Sequence, residues 1–140
     1  MHGLPEDNHY TTAYDMAKIA SSALKLPKFI EIFGAERYDI PPTNKQLETR
    51  VLWNRNKFLN GGISYEGILM SKTGWTSDAQ HTLVTAAKRG DTTLVVVVMK
   101  SANTSDKWKD TTALFDYGFN MFTPVKISKE RLEKSAPTKI

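Results

Sequence analysis

The segment Gly-Ile-Leu-Met-Ser-Lys-Thr-Gly-Trp-Thr-Ser, residues 67–77, decides the fold, because an apolar run ends there in a group of polar residues. The run over 67–73 predicts a β-strand. At its end Lys72 supplies a positive charge, Thr73 a hydroxyl and Gly74 a backbone without a side chain. This combination suits the binding of a carboxylate beside a reacting carbonyl. Lys-Thr-Gly is too short a string to be specific alone, so the flanking sequence decides its weight.

Two more strands follow, over about 81–88 and 92–100. The sequence Lys-Arg-Gly-Asp at 88–91 is typical of a tight turn, which makes these two strands antiparallel. The third strand is apolar at nearly every position from 93 to 99, a pattern typical of strands paired on both sides. Since the sequence offers it only one neighbour, we expect a partner strand from outside the chain.

Helices are predicted on both sides of these strands, which makes the fold class α+β. Thr12 and Asp15 form a capping box ahead of an apolar helical pattern that ends by Pro27. A short helix is expected over 27–33 and a last one over 105–120. Segment 38–44 is predicted as an extended loop and segment 48–60 as irregular. The last helix is expected to bury Trp108, Ala113, Leu114 and Tyr117, and the aromatic residues Trp53, Trp108 and Phe119 are interpreted as core or domain-contact residues.

Composition limits the classes of function. The 140 residues are 40% hydrophobic, enough for one domain with a core. The net charge of +4 favours anionic partners, but the basic residues form no run, so nucleic-acid binding is not expected. The absence of cysteine excludes disulfides and thiolate metal sites. The histidines His2, His9 and His81 show no metal-ligand spacing, and we expect neither a metal nor a cofactor.

A nucleophile is harder to find. Ser22-Ala-Leu-Lys25 fits Ser-x-x-Lys, but about 0.9 such strings are expected by chance in this composition. Ser101-Ala-Asn103 fits Ser-x-Asn and falls in the turn after the last strand. We interpret both as coincidental matches.

Taken together, the sequence resembles the serine D-alanyl-D-alanine carboxypeptidases, the low-molecular-weight penicillin-binding proteins. The likeness covers about residues 1–122. It is carried by His-Gly-Leu-Pro at 2–5, Asn-His-Tyr-Thr-Thr-Ala-Tyr-Asp-Met-Ala at 8–17, Asn-Arg-Asn-Lys-Phe-Leu at 54–59, the segment 67–77 and the strand at 95–99.

In that family Ser-x-x-Lys and Ser-x-Asn precede Lys-Thr-Gly. The resemblance therefore implies that residues 1–122 are the C-terminal part of a β-lactamase/transpeptidase-like catalytic domain, containing its three later strands packed with helices. The nucleophilic serine and the two earlier motifs would lie in a preceding segment, which we expect as a partner. Residues 123–140, rich in lysine with Pro124 and Pro137, are expected to be a linker or the start of a following segment.

The resemblance also implies roles for matching residues. Lys72 would orient the terminal carboxylate of the substrate and support proton transfer, Thr73 would hydrogen-bond that carboxylate, and Gly74 would admit the substrate backbone. The backbone N–H of Trp75 would be an oxyanion donor. Lys107 stands where the family often has an arginine as a second carboxylate anchor; a lysine lacks the bidentate fork, and a solvated helix lysine is the competing interpretation.

The implied activity is removal of the terminal D-alanine from peptidoglycan stem peptides through an acyl-enzyme, with β-lactams as further ligands and an extracytoplasmic, cell-envelope location. The chain shows no signal-peptide pattern. Two alternatives stay open: a non-catalytic remnant or binding fragment, and a piece of a class A β-lactamase.

Overall fold

The computed structural model describes residues 6–125. Its helices and antiparallel strands confirm the α+β class. The elements in chain order are α1 (Ala13–Ala23), α2 (Pro27–Phe33), β1 (Arg37–Ile40), β2 (Arg50–Trp53), β3 (Ile68–Thr76), β4 (Gln80–Arg89), β5 (Thr92–Ser101) and α3 (Thr104–Met121).

The main sheet is antiparallel and has the order β3-β4-β5. The register places Lys72 opposite Val84 and Trp75 opposite His81. The predicted tight turn joins β4 to β5, with Gly90 at a φ of 56°, a left-handed conformation that suits glycine. Within residues 6–125, β3 and β5 are the outer strands. The partner strand for β5 therefore stays a prediction.

The two faces of this sheet pack against different elements. Helices α1 and α2 cover one face, where Ala20, Met70 and Ala86 form a small buried cluster. Helix α3 and the segment after β2 cover the other. The larger core lies there and consists of Phe58, Leu83, Ala87, Val96, Val98, Trp108 and Phe115.

The first two helices begin and end where local sequence predicts. Thr12 is the N-cap of α1, and its Oγ1 accepts a hydrogen bond from the Asp15 N–H at 3.1 Å. Pro27 opens α2 and Gly34 ends it. At Gly34 an added Cβ would lie 2.4 Å from the Leu69 carbonyl oxygen, so glycine allows α2 to approach β3 closely.

The prediction for the segments 38–44 and 48–60 was partly wrong. Strands β1 and β2 pair as an antiparallel ribbon, with Arg37 opposite Trp53. The Arg37 guanidinium binds the Asp39 carboxylate and lies 5.3 Å from the centre of the Trp53 ring. Pairs that form between two strands cannot be inferred from the sequence of one short segment. The Trp53 side chain is 60% exposed, so it is not a core residue of the described part of the chain.

The buried face of α3 also differs from the prediction. Trp108 is buried as expected, but Ala113, Leu114 and Tyr117 are exposed. The residues that face the sheet are Lys107, Trp108, Thr111, Phe115 and Gly118. They follow the i, i+4, i+7 spacing of one helix face. Thr111 can be buried because its hydroxyl donates a hydrogen bond to the Lys107 carbonyl oxygen at 2.7 Å. A prediction that ranked residues by hydrophobicity alone therefore assigned the wrong face of α3 to the core.

Several predictions fall at the ends of the chain. The family segment at 2–5 and most of the expected linker over 123–140 lie outside the described residues, and the boundary after residue 122 stays a prediction. Across residues 6–125, every helix is too short or too polar to cross a membrane.

Candidate active-site wall

A cavity of about 590 Å³ lies where the end of β3 meets the start of β4 and the first turn of α3. It brings together all five site residues predicted from the sequence, although they come from a strand and a helix that are distant along the chain. Its lining consists of Lys72, Thr73, Gly74, Trp75, Thr76, Ala79, His81, Thr82, Thr104 and Lys107.

The β3 side of the cavity is open. Lys72 is exposed, and its Nζ donates a hydrogen bond to the carbonyl oxygen of Thr73. A Cβ at Gly74 would lie 2.5 Å from Thr82 Oγ1 on the neighbouring strand, so a side chain here would require Thr82 to move. The Trp75 side chain is 65% exposed at the rim. This end of β3 therefore presents backbone and an exposed cation to the cavity.

Buried hydrogen bonds hold β3 just before Lys72. Ser71 is 3% exposed, and its Oγ accepts from Asn56 Nδ2 at 2.8 Å. The same oxygen lies 2.7 Å from Thr85 Oγ1 on β4. Asn56 is itself fixed, because its Oδ1 accepts from the Phe58 N–H at 3.1 Å. The Asn-rich segment that was predicted to be irregular thus anchors the strand that carries the motif.

The α3 side contains a buried cation. Lys107 is only 5% exposed, and burial lowers the pKa of its ammonium group. Its Nζ lies 5.1 Å from the centre of the Trp108 ring. Among residues 6–125, no carboxylate lies within ion-pair distance of that Nζ. The interpretation of Lys107 as a solvated helix lysine was wrong.

Comparison with known proteins identifies the family. A family model described as D-alanyl-D-alanine carboxypeptidase, Peptidase_S11, matches residues 1–103. The chain belongs to this family. A D-alanyl-D-alanine carboxypeptidase of Streptomyces sp. (strain K15) is 32% identical over 120 residues, which are 84% of this chain and 40% of that protein. The carboxypeptidase DacF of Bacillus subtilis (strain 168) is 31% identical over 121 residues, 86% of this chain and 30% of DacF.

Solved structures of proteins in this family share the fold of this chain. The D-alanyl-D-alanine carboxypeptidase of Mycobacterium tuberculosis H37Rv superposes with a TM-score of 0.73 at 27% identity, over 90% of this chain and 47% of that one. The Streptomyces K15 DD-transpeptidase gives 0.71 at 32% identity, over 82% and 44%. The D-alanyl-D-alanine carboxypeptidase fold of these neighbours is thus shared, while the chain spans less than half the length of the relatives named.

Two cavity residues, His81 and Thr104, were missed at the level of sequence. His81 was predicted to be an ordinary strand residue, and it does lie on β4, but it also lines the cavity. Its Nε2 lies 3.1 Å from Oγ1 of Thr104, the first residue of α3. The available signal was the hairpin itself, because pairing β3 with β4 places His81 opposite Trp75.

Neither coincidental motif match supplies a residue to the cavity lining. Ser22 and Lys25 are exposed at the end of α1 and just beyond it, and neither lines the cavity. Ser101 Oγ donates to the Asn103 carbonyl oxygen at 3.1 Å, so it holds the turn into α3. No cluster of three His, Cys, Asp or Glu side chains suited to a metal occurs between residues 6 and 125.

Proposed function

We propose that this chain forms the carboxylate-binding wall of a serine DD-peptidase that removes the terminal D-alanine from peptidoglycan stem peptides. Membership of the D-alanyl-D-alanine carboxypeptidase family supports the reaction class. The relatives named are carboxypeptidases and a DD-transpeptidase, so the peptide's C-terminal carboxylate is the group that the wall must recognise.

The observation that carries the proposal is the buried ammonium of Lys107. A desolvated cation without a carboxylate partner is unfavourable, and a bound anion compensates for the lost hydration. The cavity gives such an anion access to Lys107 from the side of Thr73 and Gly74. We assign Lys107 as the inner carboxylate anchor, a point-charge replacement for the arginine that the family often uses there.

The β3 residues take the remaining roles. Thr73 donates its hydroxyl to the same carboxylate, and Gly74 lets the substrate backbone lie against the outer strand edge. Lys72 leaves its position on the Thr73 carbonyl oxygen to orient the substrate and support proton transfer at the reacting serine. The Trp75 backbone N–H donates to the oxyanion, an interaction whose loss typically slows acyl transfer by about 10²–10³-fold.

The reacting serine is proposed to come from residues outside these 140. The chain spans 30–40% of the two curated relatives named, and among residues 6–125 no serine lines the cavity. In the complete site the serine oxygen attacks the D-Ala-D-Ala carbonyl, D-alanine leaves with a proton, and water then releases the shortened peptide. β-Lactams would bind through the same carboxylate contacts. Because peptidoglycan is assembled outside the cytoplasmic membrane, we place the protein there.

A titration of the 140-residue chain with N-acetyl-D-Ala-D-Ala tests the wall. In ¹H–¹⁵N spectra we expect saturable shifts at the backbone amides of Gly74, Trp75 and the first turn of α3, with a Kd of roughly 1 mM for a ligand held by one wall. Lys107→Met should weaken binding at least tenfold. The matched ligand is the same dipeptide with a C-terminal amide, which lacks the charge that Lys107 recognises.

Equal shifts with the acid and the amide would contradict the carboxylate assignment. A separate incubation with labelled penicillin should leave the chain unmodified, whereas a stoichiometric adduct on Ser22 would show that the nucleophile lies within the chain. The preceding segment of a family member can also be added to the chain. If the mixture binds the dipeptide but is still not acylated by penicillin, the binding-fragment alternative is favoured.

A further inference from the structure

The first turn of α3 carries a second polar group beside Lys107. Resting on the proposed function, we propose that the Thr104 hydroxyl donates directly to the ligand carboxylate and that His81 is the positioning residue that orients this hydroxyl. Both residues line the cavity. Thr104 and Lys107 are three positions apart, a spacing that puts their side chains on the same face of a helix.

The hydrogen bond between His81 and Thr104 has a preferred direction. His81 Nδ1 is buried and has no hydrogen-bond partner within the described residues. A proton on Nδ1 would leave a buried N–H without an acceptor, and such orphaned N–H groups are rarer in proteins than unused acceptor lone pairs. The favoured neutral tautomer therefore carries its proton on Nε2 and donates it to Thr104 Oγ1 across the 3.1 Å contact.

This direction decides what Thr104 can do. Once Oγ1 accepts from His81, its own hydrogen is not needed for that bond and is available to a third group. Thr104 is exposed to the cavity, so the third group can be a ligand. Because a ligand carboxylate only accepts hydrogen bonds, it matches a hydroxyl held in this state.

The two α3 groups are complementary. The Lys107 ammonium attracts an anion but, as a point charge, imposes little directionality. A hydroxyl fixed by a second residue adds a defined direction, in the way that outer groups orient ligand-binding side chains elsewhere. The acidic group of this turn, Asp106, is engaged by Asn103 Nδ2 at 2.5 Å.

His81 also links the two sides of the cavity, the end of β3 and the first turn of α3. Its ring lies 6.4 Å from the Trp75 ring at an interplanar angle of 45°, while its Nε2 contacts α3. One side chain therefore touches the end of β3 and the start of the helix. His81 thereby fixes the orientation of the Thr104 hydroxyl relative to the Trp75 backbone.

Four variants of the 140-residue chain test this assignment with N-acetyl-D-Ala-D-Ala as the probe. Thr104→Val keeps the shape of the side chain without the hydroxyl, and Thr104→Ser restores the hydroxyl. His81→Phe keeps a ring against Trp75 without the donor, and His81→Gln restores a donor. We expect about fivefold weaker binding for Thr104→Val and His81→Phe, and near wild-type binding for Thr104→Ser and His81→Gln.

The double variant His81→Phe/Thr104→Val should bind no more weakly than Thr104→Val, because His81 acts through Thr104. Wild-type affinity in Thr104→Val, or additive losses in the double variant, would overturn the inference while leaving binding through Lys107 intact. If His81→Phe does not fold, the Val and Ser variants of exposed Thr104 decide. Absence of binding by the wild-type chain itself would refute the proposed function and this inference with it.

Discussion

The β3 side and the α3 side of the cavity are held in place by different forces. The end of β3 is fixed by buried hydrogen bonds, which run from Asn56 through Ser71 to Thr85. The start of α3 is fixed by aromatic packing, since Trp108 meets Phe58 edge to face with ring centres 5.4 Å apart. Phe115, further along α3, is fully buried.

This difference matches what each side of the cavity is proposed to do. Hydrogen bonds are directional, so they fix the position of the backbone that a substrate strand would contact. Apolar packing is stronger in total but less directional, and it can hold a helix against the sheet while a cation on that helix loses water. The α3 side therefore contains a desolvated charge, Lys107, whose unfavourable free energy is offset by the apolar packing of the core.

Breaking the aromatic anchor should have the largest effect. Phe115→Ala removes a fully buried ring that stacks on Tyr65 at 5.3 Å, and we expect the free energy of unfolding to fall by about 3–5 kcal/mol. Leu114→Ala is the matched control on the exposed face and should change it by less than about 0.5 kcal/mol. Urea unfolding measures both. Comparable losses would contradict the assignment of Phe115 to the buried face of α3 and of Leu114 to the exposed face.

Breaking the polar anchor should have an intermediate effect. Ser71→Ala leaves the Asn56 amide and the Thr85 hydroxyl without their shared partner, and we expect a loss of about 1–3 kcal/mol in the free energy of unfolding. Exposed Ser64→Ala provides the control. In ¹H–¹⁵N spectra the Ser71 variant should also shift the amides of Lys72 and Thr73. Unchanged amides would show that the network stabilises the sheet without positioning the motif.

The smallest expected effect concerns the buried charge. The folded-state pKa of Lys107 lies below its ordinary value of 10.5, so between these two values the unfolded chain binds more protons. The destabilisation is therefore fully present below the folded pKa and is relieved as pH rises towards 10.5. Lys107→Met should be more stable than the wild type near neutral pH, and this advantage should shrink as the solution becomes alkaline.

Urea unfolding at several pH values tests this prediction, with Lys109→Met on the exposed face as the control. A pH-independent difference between Lys107→Met and the wild type would indicate that the ammonium is not desolvated in the folded chain.

Patterns within one element were predictable from the sequence. The capping box at Thr12, the proline and glycine that bound α2, and the turn at Gly90 all depend on neighbours a few positions away. The strings that resemble the D-alanyl-D-alanine carboxypeptidases were equally readable along the chain, and the family model confirms that resemblance.

Features that depend on distant contacts were missed or misjudged. The ribbon β1–β2 exists only because two weakly marked segments pair. The face of α3 was assigned from hydrophobicity, whereas the sheet selects Thr111 and Lys107 for burial and leaves Leu114 in solvent. In both cases the deciding partner lies many residues away along the chain.

The sequence by itself determined the strand that delivers Lys72 and Thr73, because an apolar run, turns and caps are set by local backbone preferences, although the strand continues to Thr76 instead of ending at residue 73. Only the tertiary structure decided what faces that strand. The desolvation of Lys107 and the contact between His81 and Thr104 require α3 to pack on the sheet in one orientation. Burial and hydrogen-bond direction depend on that packing, and no local pattern encodes them.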